Sequence, residues 1–522
     1  MGASMAKLQL DKTNFFVGGI AVLLPTMGIL AADIAAPGSG KAFISSLKSY
    51  LTNEFGAFYM WAAILSLIFC LAVSFSKYGN IVLGEADEKP EYSTISWVAM
   101  IFSAGIGAGI LWGGASEWIY YMSTPPLGLE PGTELAKEWA ITTGMFHWGP
   151  SAWALYSVCS ITIGYYYYVR KDPVLKVSES CKGVLGTRAK GPLGNVVDIF
   201  IMIGLVTASA TSLGLGTPVV AAGISKVLGL EHGTAMNLAA LAIVVGLFTI
   251  SSALGLKKGM AKLSNFNIFL AVGLLVFVLF FGGYFLTTIK SFTTSVGSLA
   301  TNFVRLSTYM EPYAENSTFV SDWTIFYWAW WVSYGPFQGL FFAKISRGRT
   351  IREMVLGTLL FGSLGTAVFF AIFGNYGIGL LDAGIFDAPA ALASGQTSFT
   401  VIIDMFANLP LGTLFIIGLC VSAVVFMATT FDAASFSLAA MTTKELPDGA
   451  DPALWNRLVW ALFLGIIPIV INLIGGDLGT IQISTVVGGL LMVVILGIVA
   501  LSFIKELKSD IANGVELPMR KK

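Results

Sequence analysis

Residues 411–441 read LGTLFIIGLCVSAVVFMATTFDAASFSLAAM and contain one charged side chain, Asp432. An α-helix needs about 20 consecutive apolar residues to cross the ~30 Å hydrocarbon core of a bilayer. This stretch is long enough to do so, and stretches of similar character recur along the chain. The pattern therefore predicts a protein that crosses the membrane several times.

The composition of the whole chain agrees with a membrane location. Of 522 residues, 56% are hydrophobic and 11% are charged, against roughly 25% charged in ordinary soluble domains. A single globular core cannot bury so much apolar surface, so lipid must be part of the solvent. The formal net charge is zero, and nothing in it indicates a nucleic-acid partner.

Residues that usually hold metals or perform catalysis are few and scattered. No pair of histidines or cysteines has metal-ligand spacing, and no nucleophile–base arrangement is evident. We therefore expect neither an enzyme nor a bound cofactor. The first apolar run ends near Ala32 without a small-residue cleavage site, so no cleavable signal is expected. The histidines and cysteines are His147, His232, Cys70, Cys159, Cys181 and Cys420.

Twelve segments are long and apolar enough to be transmembrane helices, which predicts an all-α polytopic fold. We number them as spans one to twelve. They are Phe15–Ala32, Gly56–Phe75, Ser96–Met122, Glu138–Tyr168, Leu193–Ala222, Thr234–Leu254, Leu263–Phe285, Trp323–Lys344, Ile351–Phe373, Leu411–Met441, Asn456–Ile474 and Ile481–Ile504.

The basic residues predict the orientation of these spans. If both termini are cytoplasmic, 24 of the 30 Lys and Arg residues lie in cytoplasmic segments. Loops that retain positive charge usually stay on the cytoplasmic side. We therefore expect a multi-pass protein of the cell (plasma) membrane with both termini inside. The outer loops hold Lys41, Lys48, Lys137, Lys226, Lys290 and Arg305.

An additional helix is predicted between spans seven and eight, at residues 289–305. Phe292, Val296, Leu299 and Phe303 follow one another at spacings of four, three and four, which gives a single apolar stripe. The helix has three possible locations: the outer membrane interface, a contact with a neighbouring subunit, or a plain connection between spans.

Span three contains three glycines at every second position, Gly105, Gly107 and Gly109. Each glycine weakens a helix by roughly 1 kcal/mol relative to alanine. One interpretation is an unwound segment whose backbone lines a cavity. The other is close packing of helices through small residues.

Two aromatic clusters lie inside span four and span eight. Their tryptophans and tyrosines recur at helical spacings, so each cluster shares roughly one helix face. Tryptophans in membranes usually form belts at the interface, but Gly335-Pro336 directly follows the second cluster and favours a helix break there. Clustered π faces suit a dispersed cation such as trimethylammonium. The residues are Trp148, Trp153 and Tyr156 in span four, and Trp330, Trp331 and Tyr334 in span eight.

Several of these motifs resemble the betaine/carnitine/choline transporter family. The similarity rests on Trp328-Ala329-Trp330-Trp331, on Ala343–Glu353, on Phe146–Tyr156, on Ser212–Gly216 and on Gly105–Gly109. It covers nearly the whole chain. The resemblance implies secondary transport of a quaternary-ammonium or sulfonium zwitterion by alternating access, commonly in a homotrimer.

The resemblance also implies a LeuT-like organisation. A tail at 1–14 precedes two leading helices at 15–75, and two inverted five-helix repeats follow at 96–285 and 323–504. An interfacial helix at 289–309 separates the repeats, and a second tail occupies 505–522.

By the same resemblance, the six aromatic residues of spans four and eight would form the substrate box. Tyr120 would contribute to it, and Trp328 would belong to a site on the way in or out. The backbone of Ala104, Gly105, Ile106, Gly107 and Ala108 would approach the substrate carboxylate.

Sodium-coupled family members imply an ion site between span three and span ten. The hydroxyls of Thr429 and Thr430 would join the carbonyls of Ser103, Ile106 and Phe426 around one Na⁺. Alternatively, the threonine hydroxyls bond to their own helix. The resemblance leaves open a second Na⁺ at Thr207, Ser209 and Phe337.

A sodium-independent antiporter of the carnitine/γ-butyrobetaine type is the alternative mechanism. Tyr334 and Gln338 resemble that branch, but Asn267 stands where its arginine is expected. We therefore favour symport.

Two carboxylates, Glu117 and Asp432, lie in apolar surroundings, where such groups are costly and often functional. They either take part in proton coupling or accept hydrogen bonds from neighbouring helices. The segment Gly105–Gly109 carries no acidic residue, which favours a zwitterion over choline.

Overall fold

The computed structural model describes residues 9–172, 176–255, 259–314, 317–446, 450–473 and 478–520. Within these ranges the chain is almost entirely helical, and its extended pairings are isolated β-bridges. This confirms the predicted all-α class. The helices are α1 (Lys12–Ala35), α2 (Ser39–Phe75), α3 (Thr94–Ile106), α4 (Gly109–Ser123), α5 (Glu134–His147), α6 (Pro150–Gly164), α7 (Lys182–Leu185), α8 (Pro192–Leu228), α9 (Thr234–Gly255), α10 (Ala261–Phe281), α11 (Phe285–Thr308), α12 (Ile325–Ile345), α13 (Ile351–Phe369), α14 (Asn375–Asp382), α15 (Ala388–Ala393), α16 (Ser398–Ala407), α17 (Gly412–Met441), α18 (Leu454–Leu473) and α19 (Leu478–Ala512).

In the described part of the chain, eight helical segments are each long and apolar enough to cross a membrane. The pair α3 and α4 forms a ninth span with a bend of 58°. The remaining predicted spans also fall on helices, namely span four on α5 and α6, span eight on α12, and span eleven on α18. The last residue of span eleven, Ile474, lies outside the described residues.

Span three is broken in its middle, as one interpretation of the glycine motif predicts. Gly107 has a φ of +61°, a conformation that residues with a Cβ rarely adopt. A Cβ at this position would also lie 2.9 Å from the Thr430 hydroxyl. The chain therefore leaves helical geometry between α3 and α4 inside the membrane.

Span four is broken as well. α5 ends at His147, and α6 begins at Pro150 after Gly149 adopts an extended conformation (φ −92°, ψ −156°). Proline disfavours helical geometry in the residue before it and is well suited to the first position of a new helix. The break places Trp148 at the junction of two half-helices.

α6 and α12, which carry the two aromatic clusters, are close neighbours in the bundle. A Cβ at Gly339 would lie 2.3 Å from the Cys159 Cβ, and one at Gly335 would lie 3.0 Å from the Leu155 carbonyl oxygen. Glycines four residues apart let two helix backbones approach each other closely. This contact brings both aromatic clusters into one region.

The predicted amphipathic helix is present as α11 and packs on its own chain. The ring of Phe303 lies 5.9 Å from that of Phe146 on α5, centroid to centroid. Ser298 donates a hydrogen bond of 3.0 Å to Glu138, also on α5. Part of the apolar stripe, however, remains exposed at Val296. α11 is thus more than a plain connection between spans.

Asp432 on α17 accepts hydrogen bonds from neighbouring helices, as one of the two alternatives for it predicts. Ser251 on α9 donates to it over 2.8 Å, and Arg457 on α18 forms an ion pair with it. All three side chains are buried. The charge of Asp432 is therefore balanced within the bundle.

The C-terminal segment 518–520 joins two loops at one end of the bundle. The Val82 amide donates to the Pro518 carbonyl over 2.7 Å, and the Arg520 guanidinium binds the Glu353 carboxylate at 3.0 Å. The loop around Val82 also pairs with Thr350, which lies between α12 and α13. We call this arrangement the terminal clasp.

Gly339→Ala tests the close approach of α6 and α12. Because the added methyl group has no space, we expect the free energy of unfolding to fall by about 1–3 kcal/mol, the usual range for overpacking. The measurement is the thermal unfolding midpoint of the purified protein in detergent.

Gly273→Ala on α10 is the matched control, since nothing lies within 4 Å of the position of its Cβ. Removing a glycine from a helix should leave that midpoint unchanged or raise it. Equal midpoints for the two variants would contradict the packing argument.

Candidate functional site

The two aromatic clusters meet at the break in span four. Trp330 and Trp331 on α12 are stacked, with ring centroids 4.7 Å apart and an angle of 12° between their planes. Trp148 stands roughly perpendicular to both, at 4.8 Å from Trp331 and 5.9 Å from Trp330. Three indole rings, two from α12 and one from the break in span four, thus form the centre of the site.

The other predicted box residues extend this group. Tyr156 lies 6.2 Å from Trp331 and 6.5 Å from Tyr334, while Trp153 lies 5.8 Å from Tyr156. None of these rings is more than 2% exposed. We call the six residues the aromatic cluster: Trp148, Trp153, Tyr156, Trp330, Trp331 and Tyr334.

Hydrogen bonds fix several of these rings by their edges. The Trp331 indole donates to the His147 carbonyl over 2.8 Å, and the Trp330 indole donates to the Ala208 carbonyl over 3.2 Å. The Tyr334 hydroxyl donates to the Ser212 hydroxyl over 2.8 Å. Because the polar edges are occupied, the electron-rich faces remain for contacts with neighbouring groups.

The glycines of span three bring backbone against these rings. A Cβ at Gly105 would lie 2.9 Å from the Trp153 ring, and one at Gly109 would lie 3.2 Å from the rings of Trp148 and Trp330. Both interpretations of the motif therefore apply, because Gly107 breaks the helix while the outer two glycines permit close packing. The predicted backbone segment 104–108 lies beside the aromatic cluster.

Three consecutive carbonyls at the end of α3 accept hydrogen bonds from three different helices. Carbonyls in the last turn of a helix lack partners within it. The Ser103 carbonyl accepts from Thr430, the Ala104 carbonyl from Gln338, and the Gly105 carbonyl from Tyr156. Side chains of α17, α12 and α6 thus stabilise the break.

Hydrogen bonds link four of the five predicted sodium-ligand oxygens, with the Phe426 carbonyl shared by both threonines. The Thr430 hydroxyl lies 3.4 Å from the Ser103 carbonyl oxygen and 2.9 Å from that of Phe426. The Thr429 hydroxyl lies 3.0 Å from the Val425 carbonyl and 2.9 Å from that of Phe426, so both threonines bond back to their own helix, as the alternative predicts. No contact joins the Ile106 carbonyl to this group in the described part of the chain.

The residues proposed for a second sodium ion are less well gathered. Thr207 donates its hydroxyl to the carbonyls of Ile203 and Gly204 in its own helix, at 3.1 and 3.0 Å. Among the described residues, the buried Ser209 hydroxyl has no hydrogen-bond partner. Phe337 lies against Tyr334, with ring centroids 4.8 Å apart.

Two predicted substrate residues lie apart from the aromatic cluster. Tyr120 contacts the rings of Trp323 and Trp112, at 5.3 and 6.4 Å. Trp328 packs against Phe146 at 5.3 Å. The structure therefore does not bring Tyr120 and Trp328 to the six rings.

Sequence reasoning missed several rings that contact the aromatic cluster, and Tyr327 touches three of its members. Tyr327 is stacked with Trp330 at 6.0 Å and with Trp331 at 5.6 Å, and it lies 5.7 Å from Trp148. Its hydroxyl donates a hydrogen bond to Glu117. The signal was available, because residues three and four apart on a helix share a face.

The described residues contain no group of three or more His, Cys, Asp or Glu side chains that could hold a metal ion. The site is instead a buried group of aromatic rings beside a broken helix. Its class is that of a multi-pass α-helical membrane protein with a buried aromatic cluster between its helices.

The comparisons with known proteins assign the family. The family model described as "BCCT, betaine/carnitine/choline family transporter" matches residues 16–512, so the chain belongs to this family. It is accordingly a transporter rather than an enzyme. The chain is also similar to a solved structure described as the substrate-bound outward-open state of a Na⁺-coupled sialic acid symporter. The identity is 12%, the TM-score is 0.43, and 86% of each chain is covered.

Proposed function

We propose that this transporter takes up a zwitterionic quaternary-ammonium or sulfonium compound, such as glycine betaine or carnitine, together with Na⁺. The observation that carries the proposal is the buried aromatic cluster at the junction of two broken spans. It offers π faces to a methylated cation and helix ends to an anion within one site.

The rings suit an onium head group for an electrostatic reason. Aromatic faces attract cations, with about 2 kcal/mol or more per contact when water is excluded. A trimethylammonium group spreads its charge over its methyl groups and donates no strong hydrogen bond. Stacked Trp330 and Trp331, with Trp148 across from them, provide the faces that such a group needs.

The helix break suits the carboxylate of the same compound. α4 starts at Gly109, and the amide groups in the first turn of a helix have no acceptors within that helix. Such amides attract anions. The proximity of Gly109 to Trp148 and Trp330 sets the two binding features side by side. A zwitterion with a short spacer between its charges would contact both.

Sodium would bind where Thr430 meets the end of α3. The Thr430 hydroxyl and the carbonyls of Ser103 and Phe426 are hard oxygen ligands of the kind that alkali cations accept. Rotation of the Thr429 hydroxyl away from its own helix would add a fourth oxygen. The ion would then connect α17 to the break beside the substrate.

Exchange without sodium is the second candidate mechanism. Tyr334 and Gln338 favour it by resemblance. Asn267 argues against it, because this buried side chain carries no charge and accepts a hydrogen bond of 2.9 Å from Ser422. We therefore place symport first.

The wider organisation is part of the same proposal. We infer two inverted repeats at 96–285 and 323–504, about twelve transmembrane helices in total, and cytoplasmic termini. A homotrimer in the plasma membrane is the expected assembly.

Proteoliposome uptake distinguishes the two mechanisms. With empty interiors and an inward Na⁺ gradient, we expect radiolabelled glycine betaine or carnitine to accumulate above its external concentration. Collapse of the gradient should abolish this accumulation. Uptake that requires internal substrate and ignores Na⁺ would contradict symport and support exchange.

Trp331→Leu should weaken binding of the preferred substrate by about thirtyfold or more, because it removes a π face worth about 2 kcal/mol. Isothermal titration of the purified protein measures the affinity. Trp460→Leu is the matched control and should retain binding, since the buried Trp460 packs against Phe15 and Phe463. Equal losses in both variants would argue against the aromatic cluster as the binding site.

Thr430→Ala should raise the Na⁺ concentration for half-maximal transport by about tenfold, the effect of losing a ligand worth about 1.4 kcal/mol. The control is Thr358→Ala, whose buried hydroxyl bonds only to the Met354 carbonyl of its own helix. That variant should keep the wild-type Na⁺ dependence. An unchanged Na⁺ dependence in Thr430→Ala would show that the ion binds elsewhere.

A further inference from the structure

Glu117 lies directly behind the aromatic cluster and is completely buried. One carboxylate oxygen accepts from the Trp148 indole over 3.2 Å and from the Tyr327 hydroxyl. The other accepts from the Tyr121 hydroxyl over 2.7 Å. Two of these donors, Trp148 and Tyr327, are rings in contact with Trp330 and Trp331.

The surrounding hydrogen bonds all run toward this carboxylate. Tyr121 gives its only hydroxyl proton to Glu117, so its oxygen accepts from the His147 Nδ1 at 2.9 Å. The Nε2 of the neutral His147 ring then accepts from the Thr324 hydroxyl at 3.0 Å. These donors stabilise the charged form of the carboxylate against the cost of its burial.

No cation balances this charge among the described residues. Every hydrogen-bond partner of Glu117 is a neutral side chain: Trp148, Tyr121 and Tyr327. Asp432, the other intramembrane carboxylate considered above, is paired with Arg457. The bundle thus balances one buried carboxylate with a cation and leaves the one beside the aromatic cluster with neutral donors alone.

The position of the carboxylate is set by the backbone of α4. A Cβ at Gly113 would lie 2.5 Å from the Glu117 carboxylate and 3.2 Å from the Trp148 ring. The absence of a side chain at Gly113 therefore lets the carboxylate and the indole meet edge to edge. Glu117 therefore contacts the aromatic cluster through the Trp148 indole.

We propose that Glu117 is the residue that sets the preference of the site for a permanent cation over a neutral group of the same shape. It positions Trp148 and Tyr327 through hydrogen bonds, and its negative charge favours a positive head group on the other side of the rings. The inference rests on the proposed substrate class and adds a selectivity residue to it.

The test compares ligands that differ only in the charge of the head group. Glycine betaine is paired with 3,3-dimethylbutanoate, and carnitine with 3-hydroxy-5,5-dimethylhexanoate, in which a tert-butyl group replaces trimethylammonium. Affinities of the purified full-length protein are measured by tryptophan fluorescence and by competition. Glu117→Gln keeps the size of the side chain and removes its charge.

We expect Glu117→Gln to reduce the ratio of cation affinity to isostere affinity by about tenfold or more, as for loss of one nearby charge in a protein interior. The affinity for the tert-butyl compound should stay the same or rise. Equal losses for both ligands, or no change for either, would overturn the proposal.

Glu138→Gln is the matched control, since this partly buried carboxylate accepts a hydrogen bond from Ser298 on α11. The ratio of cation affinity to isostere affinity in this variant should equal that of the wild type.

Tyr121→Phe provides a second variant if Glu117→Gln does not fold. It removes one donor and keeps the charge, so both affinities should fall together and their ratio should persist. A collapse of the ratio in Tyr121→Phe would overturn the proposal, because selectivity would then come from ring positions alone. If the wild-type protein binds neither onium compound, the proposed substrate class is wrong. Failure of the proposed function can thus be distinguished from failure of the selectivity proposal for Glu117.

Discussion

The interruption of a helix within the hydrocarbon region is the constraint on which the rest of this structure depends. Backbone groups that lose their helical partners in lipid must find others, since no water is at hand. Here Thr430, Gln338 and Tyr156 supply hydrogen bonds to consecutive carbonyls at the end of α3. Three other helices are thereby held against the break.

The aromatic cluster follows from this arrangement through close packing. Gly105 and Gly109 leave room for Trp153, Trp148 and Trp330, so the rings lie directly against the broken backbone. Gly335 and Gly339 similarly draw α12 onto α6. Small residues thus decide the position of the largest ones. This explains why rings that are nearly free of solvent can lie directly against a broken helix.

Much of the fold and part of the site could be predicted from the sequence. Apolar runs identify membrane helices well, and helical spacing placed Trp330, Trp331 and Tyr334 on one face. The expected helix break at Gly335-Pro336 was wrong, because α12 continues through Pro336, whereas span four is broken at Gly149-Pro150. The surroundings of Glu117 could not be predicted in full, because Trp148 at that break and Tyr327 on α12 are distant in sequence and meet only through packing.

The terminal clasp has a mechanical consequence. Segment 518–520 is bonded to the loop after α2 and lies beside the loop between α12 and α13. Helices fastened together at one end tend to shift as a single block, whereas those outside the fastening are free to tilt. The Trp97 indole near the start of α3 donates to Ser346 in that second loop over 3.0 Å, so α3 belongs to the fastened block. Displacement is therefore easier for α4, beyond the break at Gly107, than between α2 and α12. The segment 518–520 therefore couples the end of α2 to the start of α13.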